Sequence, residues 1–166
     1  AIAAKKRGGG RKGISKQGEA QVCILGKTMS GKSTLLTKLT EARPEIADHP
    51  YTTIRPQIGM MDYNGVKIQL VEIPSTFNPE YLSICRSAEL VALVINSQDD
   101  KKDLLALKES NYIRTPHIFI TKDMSTNEIR SSIWSALGFM LVYTKDGKKI
   151  SPMALKHGSI IKDFAE

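Results

Sequence analysis

The sequence predicts an α/β fold in which a mostly parallel sheet of five to six strands is wrapped by helices. Between residues 19 and 137, short apolar runs alternate with segments of helical periodicity, the order expected of strands joined by crossover helices. One run, residues 90–95, is almost continuously apolar, as in a central parallel strand buried on both faces. The composition, 41% hydrophobic and 25% charged, is that of an ordinary globular domain.

The first elements in chain order are a strand, a helix and a hairpin. The apolar run 21–25 ends at Gly26 and is predicted as a buried strand, and leucines at helical spacing predict a helix over 32–41. Residues 45–56 contain two prolines and two threonines and are predicted as an ordered loop. Asn64-Gly65 favours a type I′ turn between two strands.

The later elements continue the alternation of helices and strands up to residue 137, and the sequence pattern changes from Gly138 onward. They are predicted as helix, strand, helix, strand and helix over residues 79–87, 90–95, 101–110, 117–120 and 125–137. A strand over 140–144, a turn at Asp146-Gly147 and a helix over 159–165 follow. We therefore predict a compact domain over 19–137, preceded by a flexible basic, glycine-rich tail over 1–18 and followed by a distinct segment over 138–166.

Positive charge is concentrated in the predicted tail. The net charge of the chain is +7, and residues 1–18 contribute +6 of it because they hold six Lys or Arg and no acid. A mobile basic arm favours phosphate-rich partners, so residues 5–16 are a candidate contact for ribosomal RNA. The alternative is a solvated tail that only aids solubility.

Several absences predict a cytoplasmic protein with no membrane partner. No apolar run reaches the 18 residues that would suggest a membrane span, and the first residues lack a secretory signal. Cys23 and Cys85 are the two cysteines, too few for a disulfide framework, and we expect two buried thiols.

Residues 26–33, GKTMSGKS, fit the phosphate-binding motif GxxxxGKS between a strand and a helix. In such a P-loop the glycines let successive N–H groups surround a polyphosphate at a helix N-terminus. Lys32 is expected to reach the outer phosphates and the Ser33 hydroxyl to hold Mg²⁺. The predicted nucleotide-binding residues of this motif are Gly26, Met29, Ser30, Gly31, Lys32, Ser33 and Thr34. The sequence therefore predicts a P-loop NTPase; the alternative is an ordinary strand–helix turn.

Tyr51-Thr52-Thr53 follows the P-loop by about 20 residues. A threonine in that loop could become a second Mg²⁺ ligand when a γ-phosphate is present. Lys32 and Thr53 are accordingly the candidate catalytic residues, with Thr53 as a switch.

Several stretches of the chain match one known family in the same order. They are residues 8–10, 18–20, 26–33, 35–40, 51–56, 59, 63–70, 86–90, 133–134, 143–145 and 163–164. In these stretches the chain resembles the DRG (developmentally regulated GTP-binding protein) branch of the Obg-type GTPases. The resemblance implies a small G-protein-like domain, guanine nucleotide as ligand, and a cytoplasmic, ribosome-associated GTPase with a possible regulatory protein partner. It also implies that residues 138–166 are part of a TGS domain, which has a β-grasp fold, although the 29 residues from Gly138 are too few to complete one.

The sequence departs from the family where the γ-phosphate and metal are handled. Glu72-Ile73-Pro74-Ser75 stands where the family has Asp-x-Pro-Gly. The resemblance makes Glu72 a metal candidate beside Ser33 and Thr53, but Ser75 lacks the backbone freedom of glycine. Met29 replaces an asparagine that holds K⁺ in related GTPases, so we expect no activation by K⁺.

The guanine-reading motif (Asn or Thr)-Lys-x-Asp is also altered. Thr121, Lys122 and Asp123 are the candidates, but the aspartate comes one position early. The alternative is a strand end with a helix-capping role. The spacing to Ile133-Trp134 suits the loop before the family's last helix, which would leave out one strand–helix unit and give a sheet of five strands.

The sequence thus predicts a GTP-binding protein with slow, Mg²⁺-dependent hydrolysis that acts as a translation-associated switch. No glutamine follows Ser75 to position water, which is why slow hydrolysis is expected. Two alternatives stay open: a nucleotide-binding scaffold that does not hydrolyse, and an ATP-binding P-loop protein.

Overall fold

The structure is a computed structural model that describes residues 14–42 and 55–158. These residues form seven strands and four helices. In chain order they are β1 (Ala20–Gly26), α1 (Lys32–Leu39), β2 (Gln57–Tyr63), β3 (Val66–Glu72), α2 (Pro79–Ser87), β4 (Leu90–Val94), α3 (Gln98–Ser110), β5 (His117–Ile120), α4 (Thr126–Leu137), β6 (Phe139–Asp146) and β7 (Lys149–Lys156).

The main sheet has five strands in the order β2-β3-β1-β4-β5. Strand β1 pairs in parallel with β3 and β4, β4 pairs in parallel with β5, and only β2 runs antiparallel to its neighbour. The predicted mostly parallel sheet is confirmed, and among the described residues it has the smaller of the two expected strand numbers. Because β1, β3, β4 and β5 are parallel, their carboxyl ends lie at one edge, where α/β proteins bind ligands.

Helices cover both faces of this sheet, as predicted. On one face α1 and α4 pack through Leu36, Leu39 and Ile133 against alternate residues of the strands. On the other face α2 and α3 contribute Leu82, Cys85 and Leu104. The central strands β1 and β4 are buried along their whole lengths because side chains of both faces are covered.

Local signals in the sequence set two of the element boundaries. Asn64 and Gly65 have φ of 50° and 89°, the left-handed conformations that a type I′ turn requires, and they connect β2 to β3. Helix α3 begins at Gln98, three residues earlier than predicted, because the Ser97 hydroxyl accepts a hydrogen bond of 3.1 Å from the Asp100 N–H and caps the helix.

Strands β6 and β7 form a separate antiparallel pair that packs on the main body. Phe139 and Ala154 are buried in the same apolar cluster as α1 and α4. The Trp134 ring stacks on Tyr63 at 4.6 Å and contacts the edge of Phe139 at 5.6 Å. The division at residue 138 and the TGS assignment stay predictions, and the helix expected over 159–165 lies outside the described residues.

The end of the predicted basic tail is held against the body. Lys16 forms an ion pair of 2.8 Å with Glu89, and the Gln17 N–H donates to Gln69 Oε1 at 2.6 Å. Residues 14–18 are therefore not a free arm, because their backbone and one of the six basic side chains are engaged. Residues 1–13 lie outside the described residues, as does most of the loop predicted over 45–56.

None of the helices in the described ranges is long and apolar enough to cross a membrane.

Candidate functional site

The predicted phosphate-binding turn connects the carboxyl end of β1 to the start of α1. Met29 and Gly31 have φ of 64° and 96°, and the Ser30 N–H donates to the Lys27 carbonyl at 3.1 Å, which closes the turn. A Cβ on Gly26 would lie 2.5 Å from Ser30 Oγ, so a larger residue at position 26 would displace the turn. Gly31, the residue just before α1, has a left-handed conformation, which favours glycine.

Lys32 lies inside the turn rather than in solvent. Its side chain is buried, and its Nζ donates to the Lys27 carbonyl at 3.3 Å and to Ser75 Oγ at 2.5 Å. The Ser75 hydroxyl in turn donates to the Gly26 carbonyl at 3.1 Å. Burial lowers the pKa of Lys32, an effect that the nearby charge of Glu72 partly opposes.

Ser33 and Glu72 meet beside Lys32. The Ser33 hydroxyl donates to Glu72 Oε1 at 2.8 Å, and the register of β1 with β3 places Glu72 opposite Ile24, close to the start of the turn. Glu72 is buried, and its Oε2 has no hydrogen-bond partner among the described residues. A hydroxyl and an unpartnered carboxylate oxygen are the hard donors that Mg²⁺ prefers, so these two residues fit such an ion.

Lys27 connects the turn to α3. Its Nζ lies 3.1 Å from Asp100 Oδ1 and 2.5 Å from Asp103 Oδ2. Its pKa is raised, first by Asp103 and then by Asp100. Sequence reasoning missed this contact because the partners are more than 70 residues away and carry no local signal.

A cavity of about 240 Å³ opens beside the turn, between α1 and the loop from β5 to α4. Ser30 and Gly31 belong to both the turn and the cavity wall. The lining residues are Ser30, Gly31, Thr34, Leu35, Lys38, Val94, Ile120, Thr121, Lys122, Met124, Thr126 and Ile129. Much of this wall was not predicted, because it is assembled from the turn, two helices, two strand ends and a loop.

Asp123 is placed differently from the other two residues of the altered base motif. Thr121 and Lys122 line both this cavity and a second one formed with Ile95, Asn96, Ser97 and Gln98, whereas Asp123 lines the second cavity and not the first. A hydrogen bond from the Thr121 side chain is the main cause of the lowered pKa of Asp123. The next residue, Met124, lines the first cavity.

The other predicted site residues are placed as follows. Thr34 reaches the cavity wall, and the Met29 side chain is 90% exposed at the tip of the turn. Thr53 lies outside the described residues, so its proposed metal and switch roles stay predictions. The structure therefore brings together Gly26, Ser30, Gly31, Lys32, Ser33 and Glu72, with Thr34, Thr121 and Lys122 alongside.

The chain is similar in sequence to known GTP-binding proteins. Residues 21–124 match a protein family described as 50S ribosome-binding GTPase. A GTP-binding protein of Methanocaldococcus jannaschii is 37% identical over 92 residues, which are 50% of this chain and 24% of that protein. A developmentally regulated GTP-binding protein 2 homologue of Dictyostelium discoideum is 26% identical over 95% of this chain and 44% of its own length. The chain spans about a quarter of the first curated relatives it matches.

A solved structure supports the fold. The G domain of the T. maritima FeoB iron transporter superposes with a TM-score of 0.50 at 19% identity, covering 70% of this chain and 98% of that domain. The match over 21–124 takes in the turn, Glu72 and the strand ends that surround the cavity. The chain thus belongs to the family of 50S ribosome-binding GTPases.

Proposed function

We propose that the chain binds GTP and GDP with Mg²⁺ at the turn over residues 26–33 and hydrolyses GTP slowly. The observation that carries the proposal is the convergence of the Lys32 ammonium, the Ser33 hydroxyl and the unpartnered Glu72 oxygen at the start of α1. A buried lysine and a buried carboxylate side by side are costly without a function, because each loses hydration.

Each group has a distinct role in this proposal. The N–H groups at the start of α1 and the Lys32 ammonium would bind the phosphate oxygens. Ser33 and Glu72 would hold Mg²⁺, which supplies charge neutralisation on the phosphates when bound. Thr53 would contact the γ-phosphate side and report which nucleotide is present.

Slow hydrolysis is proposed because no glutamine follows Ser75 in the sequence to position water. The residues that follow are Thr76, Phe77 and Asn78, and a GTPase without a positioning glutamine depends on a partner for speed. A regulatory protein that supplies such a group is therefore part of the proposal.

Titration calorimetry with GDP and a non-hydrolysable GTP analogue, with and without Mg²⁺, tests nucleotide binding. We expect Lys32→Ala to weaken binding at least about tenfold, since a charge-assisted contact to phosphate is lost. Lys102→Ala, an exposed lysine of α3, is the matched control and should leave affinity unchanged. Equal affinities for the wild type and Lys32→Ala would contradict the proposal.

A second candidate function is a nucleotide-binding scaffold that does not hydrolyse. Ser75 favours it, because its hydroxyl contacts Lys32 and Gly26 where the family glycine leaves room. Single-turnover measurements with saturating protein separate the two candidates. Phosphate release above that of Lys32→Ala supports the GTPase, and release no faster than that variant supports the scaffold.

We also propose that the basic residues before Ser15 contact RNA, in support of a ribosome-associated cytoplasmic switch. Lys16 already forms an exposed ion pair with Glu89, which RNA would have to replace. Deletion of residues 1–13 should weaken ribosome binding and reduce its salt dependence, since fewer counterions are released. An unchanged salt slope in co-sedimentation would assign the tail to solubility instead.

A further inference from the structure

The cavity beside the turn is placed to receive whatever extends from a bound phosphate chain. Ser30 and Gly31 are shared between the turn and the cavity wall, so a ligand held at the turn leads directly into it. The Ser30 hydroxyl is buried at 3% exposure and has no hydrogen-bond partner in the described part of the chain. Buried polar groups are normally paired, so this hydroxyl points to a missing ligand.

The wall of the cavity suits a flat aromatic ring. Leu35, Val94, Ile120, Met124 and Ile129 supply apolar surface. The volume of about 240 Å³ is slightly below that of typical small-molecule sites, about 300–1,000 Å³. It fits a heterocyclic base whose sugar and phosphates lie outside, along the turn.

Among the described residues, the polar part of the wall carries hydroxyl and ammonium groups but no carboxylate. The hydroxyls belong to Ser30, Thr34, Thr121 and Thr126, and the ammonium groups to Lys38 and Lys122. A hydroxyl can donate or accept a hydrogen bond, whereas an ammonium group only donates. None of the described residues that line the cavity is Asp or Glu.

The two nearby acids in the loop and first turn of α4 are engaged elsewhere. Asp123 lines the second cavity and bonds to Thr121. Glu128 accepts a hydrogen bond from the Ser125 N–H at 2.6 Å as part of the capping box of α4. Neither carboxylate is placed in the cavity wall.

We propose that this cavity binds the base of a purine nucleotide without distinguishing guanine from adenine, so that ATP and ADP are ligands alongside GTP and GDP. The inference rests on the proposed function, since it assumes that the phosphates occupy the turn. It deepens that function by naming the substrate class as purine nucleoside di- and triphosphates.

The physical reason lies in the edges of the two bases. Guanine presents an N2 amino donor and an O6 acceptor, whereas adenine presents an N6 amino donor; both present N7 as an acceptor. Lysines can donate to the shared N7, and hydroxyls can turn to suit either edge. Large discrimination requires a buried polar group that only one ligand satisfies, and a carboxylate facing the N1–H and amino group of guanine would be such a group.

Competition against a fluorescent GDP analogue, with Mg²⁺ and the full chain, measures the discrimination. We expect GDP and ADP to displace the analogue with dissociation constants within about tenfold of each other, or about 1.4 kcal/mol. A preference for GDP greater than about a hundredfold would overturn this inference alone. Failure of the wild type to bind either nucleotide would overturn the proposed function and this inference with it.

Substitutions at Met124 and at Asp123 test whether the missing carboxylate is the reason for the weak discrimination. Met124→Asp places a carboxylate in the cavity wall and should raise the preference for GDP over ADP at least about tenfold. Lys102→Ala, a substitution of an exposed lysine of α3 outside the cavity, is the control and should not change the ratio. If Met124→Asp bound both nucleotides with an unchanged ratio, the cavity would not be the base site.

The substitution at Asp123 does not disturb buried packing, because this side chain is exposed. Asp123→Asn alters an exposed side chain and should leave the GDP to ADP ratio unchanged, because this carboxylate lines the other cavity. A fall in the preference for GDP on this substitution would show that Asp123 reads guanine and would overturn the inference.

Discussion

Ser75 is the residue that most distinguishes this phosphate site from the family pattern. Its hydroxyl accepts a hydrogen bond from Lys32 and donates one to the Gly26 carbonyl, so it connects the two ends of the phosphate-binding motif. In the proposed function, a phosphate that approaches Lys32 would compete with this contact. We therefore expect the Ser75 hydroxyl to lower the affinity for nucleotide.

Replacement of Ser75 should therefore tighten nucleotide binding. Ser75→Gly removes the hydroxyl and restores backbone freedom, and we expect affinity for GDP to rise about three- to tenfold, since a hydrogen bond to a charged group contributes about 1.5–3 kcal/mol of which a phosphate recovers part. Titration calorimetry at fixed Mg²⁺ measures the change.

Ser75→Ala separates the two effects of that substitution. It removes the hydroxyl but not the Cβ, so the gain in affinity should persist if the hydrogen bond to Lys32 is its cause. If both variants bound GDP no more tightly than the wild type, the Ser75 contact would not compete with phosphate.

Helix α4 forms one wall of the cavity. Thr126 and Ile129, in its first turns, face the cavity that Lys122 and Met124 also line. Its start is fixed by a capping box: Ser125 Oγ accepts from the Glu128 N–H at 3.2 Å, and Glu128 accepts from the Ser125 N–H. The cap therefore positions the loop that surrounds the proposed base site.

Loss of this cap should destabilise the protein and loosen the cavity. Ser125→Ala removes one of the paired bonds, and the expected loss in the free energy of unfolding is about 0.5–2 kcal/mol. Urea denaturation followed by circular dichroism measures it. Ser131→Ala, an exposed serine inside the same helix, is the control and should have little effect. Equal stability of the two variants would contradict the assigned role of the cap.

The β6–β7 pair packs on the main body of the molecule through buried side chains. Phe139 belongs to the buried cluster of α1 and α4, and Pro152 lies close enough to Gly65 that a Cβ there would be 2.5 Å from its ring. Trp134 sits between Tyr63 and Phe139 and so contacts both the main sheet and the hairpin. The hairpin and the main body thus share one core.

A substitution in the hairpin should consequently weaken the whole fold. Phe139→Ala leaves a cavity in the shared core, and we expect a loss of about 3–5 kcal/mol in the free energy of unfolding. Tyr143→Ala, on the same strand but 61% exposed, should have a much smaller effect.

The fluorescence of Trp134, the only tryptophan, reports the hairpin contact, while circular dichroism reports the sheet and helices. Coincident unfolding curves are expected if both parts unfold together. A Phe139→Ala variant that changed the fluorescence but kept the wild-type unfolding midpoint by circular dichroism would show that the hairpin is not part of the shared core.

The succession of strands and helices along the chain, the hairpin at Asn64-Gly65 and the position of the phosphate-binding turn were predictable from local sequence patterns. These features depend on local rules: the periodicity of apolar residues, the φ angles of a type I′ turn, and a glycine-rich stretch between a strand and a helix. The earlier start of α3 was missed although its signal, a serine cap at Ser97, is also local.

The surroundings of that turn depend on long-range contacts that the sequence pattern did not reveal. The contacts of Lys27 with Asp103, of Lys32 with Ser75 and of Ser33 with Glu72 join residues 76, 43 and 39 positions apart. The separation of Asp123 from the cavity that Met124 lines depends on how β5 and α4 meet α1. Such contacts follow from the parallel sheet, which brings the ends of distant strands to one edge, and no local pattern encodes which side chains meet there.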